Sequence, residues 1–296
     1  MFDLRYHVTS LAAVFIALLI GILVGVALAS HGLGNSERKS LEDDVRRAQN
    51  RADGLQSRVD SLQQQKRSDS DFVDKTYNAL MTDRLKDKRV AVLYVGGVDR
   101  ALQGDIATAI KDAGGGTPTR VFAVQVPIDA ASIDKRLGKS PALARYAGSD
   151  HLRQLGQQLG HAFVTGGNMP VWNALHSLIV QEATPRFGAS KRPVDAVIVV
   201  RSADPQTGDS APFVKGLYDG LGKAGVPAVG VEQSKSDFSA KTVFQQAQLS
   251  TVDDVDLDAG KLALAIVLSQ PASRADYGVN ASDLLPPVSP VLTPSG

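Results

Sequence analysis

Val194-Asp-Ala-Val-Ile-Val-Val200 is the stretch that decides the fold. It is a short, nearly unbroken run of β-branched residues, the pattern of a strand buried on both faces rather than on one. Upstream, Lys88-Arg-Val-Ala-Val-Leu-Tyr-Val95 repeats the pattern and stops at Gly96-Gly97. Residues 99–113 then show helical spacing through Leu102, Ile106, Ala109 and Ile110, ending at Gly114-Gly-Gly116. Val121 to Val126 predicts a second strand, stopped by Pro127, and residues 149–164 and 170–184 predict two helices. Downstream come a helix near 211–224, a strand from Val226 to Val231, and the core of a last helix from Leu262 to Leu268. Strands alternating with helices give an α/β domain over residues 70–270, with a mostly parallel sheet flanked by helices. Residues 271–296 carry Pro271, Pro286, Pro287, Pro290 and Pro294 and are expected to form a disordered tail.

The N-terminal third reads differently. After a short segment at 1–10, Leu11 to Ala29 runs nineteen residues without a charge, amide or hydroxyl. At about 1.5 Å per residue that is about 28 Å of helix, near the hydrocarbon thickness of a bilayer. Residues 11–30 are therefore expected to form a transmembrane helix, with the lipid bilayer as a partner. A buried core helix is the plain alternative, although few such helices are apolar all round. A cleaved signal peptide is the other, because Ala27-Leu28-Ala29 fits a small-x-small site. Ala17, Gly21, Gly25 and Ala29 recur every fourth residue and would let two membrane helices approach. Arg5 before the span and Arg38 and Lys39 after it leave the orientation equivocal by charge.

Residues 36–68 are expected to form a coiled-coil stalk. Val45, Ala52 and Val59 take a positions, and Leu41, Ala48, Leu55 and Leu62 take d positions. Val at a with Leu at d favours two strands, so a homodimer through membrane helix and stalk is predicted. The competing reading is a solitary amphipathic helix packed on its own domain.

The formal net charge of +1 carries no nucleic-acid footprint, and nucleic acid is not an expected partner. The absence of cysteine excludes disulfides, thiolate metal sites and cysteine nucleophiles. Val95-Gly-Gly-Val98 joins strand to helix, where phosphates often sit, but it matches neither dinucleotide nor Walker patterns. Tight packing explains its glycines equally. Asp253, Asp254, Asp256 and Asp258 either hold a hard cation or cap the helix that carries Leu262 to Leu268. Counted from Asp254, an EF-hand would need Gly and Glu where Ala259 and Ala265 stand. His7, His31, His151, His161 and His176 show no ligand spacing, and Met1, Met81 and Met169 form no Met-x-x-Met. No G-x-S-x-G or H-E-x-x-H is present, so no catalytic or cofactor-binding residue is assigned, no enzyme is expected, and the metal ligands remain unknown. His31, just beyond the membrane segment, is the residue that a parallel dimer would bring close to its own copy.

Two stretches resemble a known family. One is Asp3-Leu-Arg-Tyr-His-Val-Thr-Ser-Leu-Ala-Ala-Val-Phe-Ile-Ala-Leu19, continuing to Gly21-Ile-Leu-Val-Gly25. The other is Ser250-Thr-Val-Asp-Asp-Val-Asp256 with Gly260-Lys261 and Asp276-Tyr-Gly278. Together with the stalk and the α/β order they resemble the MctB-type copper transporter family of actinobacterial cell envelopes. The resemblance implies copper homeostasis at a cell membrane, with the soluble domain outside the cytoplasm and copper as the only metal suggested. It also implies an alternative role, as a structural or regulatory adaptor of envelope and cell-separation machinery acting through another membrane protein. One membrane helix per chain cannot enclose a conducting pore.

Overall fold

The computed structural model describes residues 4–31, 34–184, 191–236, 238–270 and 274–288, without the side chains of 4–10, 28–31, 34–37, 73 and 74. The chain divides into two compact units, Met1–Ser70 and Asp71–Gly296. In the first unit α1 spans Leu4–His31, and α2 begins at Gly34 and runs to Met81. The apolar side chains described in α1 are exposed, among them Leu11, Phe15, Ile20 and Leu23. Among the described residues no helix is long and apolar enough to cross a membrane. Along α2 the seam residues Leu41, Val45, Leu55, Val59 and Leu62 are also exposed. The helix continues through Gly54 and past the expected end of the stalk at residue 68, to Met81. It persists because no proline interrupts it and Tyr77 and Met81 become buried at its end.

Among the described residues the second unit holds one seven-stranded sheet of order β3-β2-β1-β4-β5-β6-β7. Its strands are β1 (Val90–Val95), β2 (Arg120–Val124), β3 (Val180–Thr184), β4 (Ala196–Arg201), β5 (Ala228–Val231), β6 (Ser250–Val252) and β7 (Asp276–Tyr277). All neighbours run parallel except β2 and β3. The helices of this unit after α2 are α3 (Arg100–Asp112), α4 (Ala130–Gly138), α5 (Leu152–Thr165), α6 (Pro170–Ile179), α7 (Ser210–Gly222), α8 (Lys241–Gln246) and α9 (Asp258–Ser269).

The strand period of two divides the core. Leu93, Val95, Phe122, Val197 and Val199 face one cluster, shared with residues of α4 to α8. Val92, Tyr94, Ile198, Val200 and Val229 face the other, shared with α3, α9 and the end of α2. Trp172 anchors the first cluster; its ring lies 5.4 Å from that of Phe122, and its Nε1 donates to Leu159 O at 2.9 Å. At the base of the central pair, Arg89 grips Asp195 with Nε–Oδ2 at 3.0 Å and an Nη2–Oδ1 bond at 2.8 Å. That grip holds the Asp195 carboxyl below the usual carboxylate range.

Two expectations need correction, and one strand carries no sequence signal. The helix predicted over 170–184 ends at Ile179, and residues 180–184 form antiparallel edge strand β3 instead. Apolar spacing alone does not separate a helix from an edge strand, and pairing with β2 decided the matter. The predicted disordered tail is interrupted: Asp276–Tyr277 forms β7, Tyr277 bridges to Asp283, and the Tyr277 ring is buried. Prolines 286 and 287 do not prevent this, because they lie beyond the paired residues. Strand β6 was not predicted, since Ser250-Thr-Val252 is too short and polar to show a strand signature.

Helices α5 and α7 touch backbone to backbone. A Cβ at Gly160 would lie 2.2 Å from Leu217 O, one at Gly156 2.2 Å from Phe213 O, one at Gly216 2.0 Å from Arg153 O and one at Gly220 2.2 Å from Gln157 O. These are two interlocking small-xxx-small faces between helices of the α/β unit, and no methyl fits between them. Gly160→Ala should therefore destabilise the domain by about 2–4 kcal/mol in denaturant unfolding followed by Trp172 fluorescence. Gly104→Ala on α3, whose Cβ would meet nothing within 4 Å, should be neutral or stabilising by up to about 1 kcal/mol in the same assay. Equal effects at the two positions would exclude the close-contact explanation.

Candidate functional site

The parallel strands all deliver their C-terminal ends to one edge of the sheet. From β1 the chain moves outward to β2, whereas from β4 it proceeds in the opposite direction through β5, β6 and β7. The loops after β1 and β4 therefore diverge and leave a crevice, the position where open α/β sheets receive ligands. Gly97, Asp99, Arg201, Ser202, Lys235 and Ser236 line this crevice, which has a volume of about 520 Å³. Gly96, at φ +106°, is required here because a Cβ would come within 2.8 Å of Ala203 N. The amides of Ser202 and Ala203 donate to Val95 O at 3.0 and 3.1 Å. Packing of the two loops thus accounts for that glycine. The start of α3 is capped by Asp99, whose Oδ1 accepts from the amides of Ala101 and Leu102 at 2.9 and 3.1 Å.

The aspartate run lies at the same edge, after β6, and the structure separates its members. Asp256 is turned to Ser234, accepting from its amide at 2.6 Å and from its hydroxyl at 2.7 Å. Asp258 pairs with Lys261 at 3.1 Å. Neither caps α9: the cap residue is Leu257, with no side-chain bond. The expected cap fails because Asp256 is held by β5's loop and Asp258 already lies inside the first turn. Asp253 Oδ1 accepts from the Asn280 amide at 3.2 Å, while its Oδ2 is buried without a partner.

Asp254 is fully buried, and neither carboxyl oxygen has a well-formed hydrogen bond. Gly260 and Gly278 press against it; a Cβ on either would come within 3 Å of Asp254 Oδ1. Burial, then the charges of Asp253 and Asp256, push the Asp254 carboxyl up to about 7, with the Val279 amide opposing part of the rise.

The soft and imidazole donors do not converge. Met81 belongs to one core and Met169 to the other, on opposite faces of the sheet. His151, His161 and His176 are exposed; His151 brings Nδ1 to the carbonyl of Ala147 and His176 to that of Asn173, each a few residues earlier in the chain. The side chains of His7 and His31, and Met1, lie outside the described residues. Among the described residues no group of three or more His, Cys, Asp or Glu could hold a metal ion.

Fold and edge define a doubly wound α/β domain with a crevice at its switch point, preceded by two long helices. The chain belongs to the MctB family: the family described as "Copper transport outer membrane protein, MctB" matches residues 1–286. It is similar to the copper transporter MctB of Mycobacterium tuberculosis and to that of Mycobacterium bovis. Each is 25% identical over 305 residues, covering 90% of this chain and 92% of the relative. The family is one of transport proteins, not of enzymes.

The buried Asp254 carboxyl makes stability depend on pH with a defined sign. Its proton is held more tightly in the folded chain than in the unfolded one. The group's contribution is therefore fully present below about pH 4, falls as pH rises, and is lost above about pH 7. The loss is of the order of 4 kcal/mol. Asp254→Asn, which keeps the shape without the titratable proton, should be more stable than the parent at pH 8 and nearly equal to it at pH 4. Urea unfolding at both pH values checks this, and an unchanged difference between them would exclude a protonated Asp254.

Proposed function

We propose that this chain is a membrane-anchored envelope protein of copper homeostasis that forms no conducting pore of its own and catalyses no reaction. The observation that carries the reading is the division of the molecule: an uncharged run at Leu11–Ala29 within α1, a long charged helix, and a domain whose imidazoles and thioethers are dispersed. In this reading α1 is a retained single-pass anchor and the α/β domain lies outside the cytoplasm. Copper is cargo of the system rather than a resident of the domain. Membership of a copper transport family and the names of the relatives support the copper assignment. The dispersed donors support indirect action, through a partner or through envelope permeability, because Cu(I) favours thioether or thiolate and Cu(II) favours imidazole.

Calorimetry on residues 70–296 tests the carrier question. Copper should bind no more tightly than about micromolar, as isolated histidines allow. Stoichiometric nanomolar Cu(I) or Cu(II) binding would restore a direct carrier role.

A second reading, as a structural or regulatory adaptor of the envelope acting through a membrane partner, is favoured by the exposed stalk seam. Leu41, Val45, Leu55, Val59 and Leu62 form an apolar stripe on α2 that a second copy of the helix would bury. The stripe and the small residues Ala17, Gly21, Gly25 and Ala29 of α1 together support a parallel homodimer. The intact chain extracted from membranes in mild detergent should run as a dimer. Leu55→Asp with Leu62→Asp, which buries like charges in the seam, should convert it to a monomer without altering the melting of the α/β domain. A parent that is already monomeric would exclude the paired stalk.

A further inference from the structure

Between α7 and α8, beneath the loop that follows β4, lies a cavity of about 220 Å³ that the copper reading does not use. Val95, Ala211, Val214, Val243 and Ala247 supply apolar lining. Tyr218 also lines it; the residue is 2% exposed and its Oη is buried without a hydrogen-bond partner. Arg201 and Glu232 are the charged groups that act on this phenol, and burial keeps it protonated, so Oη is a donor without an acceptor. Glu232 is already engaged, accepting from the Ser239 hydroxyl at 2.7 Å and from the Ala240 amide. A buried hydroxyl left in this state is costly to a fold, and such groups in native proteins usually mark a bound molecule or a water.

The cavity is also placed where ligands enter such folds. Arg201 and Asp204 line both it and the 520 Å³ crevice at the β1/β4 switch point, so the two spaces meet at these residues. An apolar recess with a few convergent polar groups is the usual form of a small-molecule site. Arg201 and Lys215 bring positive charge to its rim, against Asp204. Asp219 is committed to Arg153 at 2.7 Å, and Asp99 to the amides of α3. Arg201 gives one Nη2 bond to the Phe238 carbonyl, which leaves its charge unneutralised, so the balance of charge at the mouth is cationic.

We propose that this cavity binds a small organic acid: one aromatic ring, or an equally compact apolar body, with an acceptor that meets Tyr218 Oη and an anionic head that meets Arg201. The volume fits one substituted ring, since a dry apolar cavity of about 150 Å³ accepts benzene. This site is independent of whether the chain handles copper.

The test uses the full chain in detergent with three probes, 4-hydroxybenzoate, benzoate and p-cresol, followed by ligand-observed NMR and by thermal shift. The two acids should bind saturably with Kd about 1 mM or tighter, and 4-hydroxybenzoate about five- to tenfold more tightly than benzoate. Tyr218→Phe should erase that difference while leaving the melting temperature equal or higher. Arg201→Gln should weaken both acids and leave p-cresol unchanged. Val243→Trp, at a partly exposed position on the cavity wall, should abolish binding of all three without unfolding the domain. The proposal is overturned if no probe binds saturably up to about 10 mM, the result expected were Oη met only by water. It is overturned equally if binding is indifferent to Tyr218→Phe and Val243→Trp, or if p-cresol binds as well as the acids.

Discussion

Strands β1 and β4 lie side by side at the centre of the sheet, in register from Val90 opposite Ala196 to Val95 opposite Arg201, with side chains buried on both faces. That double burial is the constraint on which the rest of the domain depends. A parallel pair cannot be joined by a hairpin, so helices must cross over, and they must cover both faces. It also sends the chain outward in two directions from the central pair, which opens the crevice at their C-terminal ends. The hydrophobic requirement of two strands thus creates the place where the domain can receive a ligand.

Covering the sheet imposes a second requirement. Helices α5 and α7 share one face, and their axes approach until only glycine fits at Gly156, Gly160, Gly216 and Gly220. Small-xxx-small contacts are usually argued for membrane helices, where hydrophobic driving force between helices is weak. Here the same steric logic works beneath Leu217, Phe213 and Leu155, which supply ordinary hydrophobic burial. The contact also orients α7, from which Tyr218 and Val214 reach the cavity wall.

The aspartate corner shows the opposite principle, polarity retained at a cost. Gly260 and Gly278 press against Asp254, and the carboxyl lies fully buried within reach of the charges of Asp253 and Asp256. Its proton is the cheapest way to remove the charge. A count of acidic residues in sequence suggests a cation site. The folded arrangement instead disperses the four carboxyls among Asn280, Ser234, Lys261 and the buried corner.

Much of the architecture was legible because it follows from periodicity. The runs 88–95 and 194–200 are too short and β-branched for helices and too apolar for half-buried strands, and their alternation with helically spaced segments gave a parallel sheet with flanking helices. The resemblance in Asp3–Gly25 and Ser250–Gly278 likewise pointed to the family that the match over residues 1–286 shows. What sequence could not carry is whatever depends on neighbours distant along the chain. Strands β3, β6 and β7 exist because a partner edge was waiting, not because their residues demand extension. The state of Asp254, the orphaned hydroxyl of Tyr218 and the separation of Met81 from Met169 by the sheet are set by burial. Burial arises only when α7, α9 and the C-terminal strand close over residues that lie far apart in sequence.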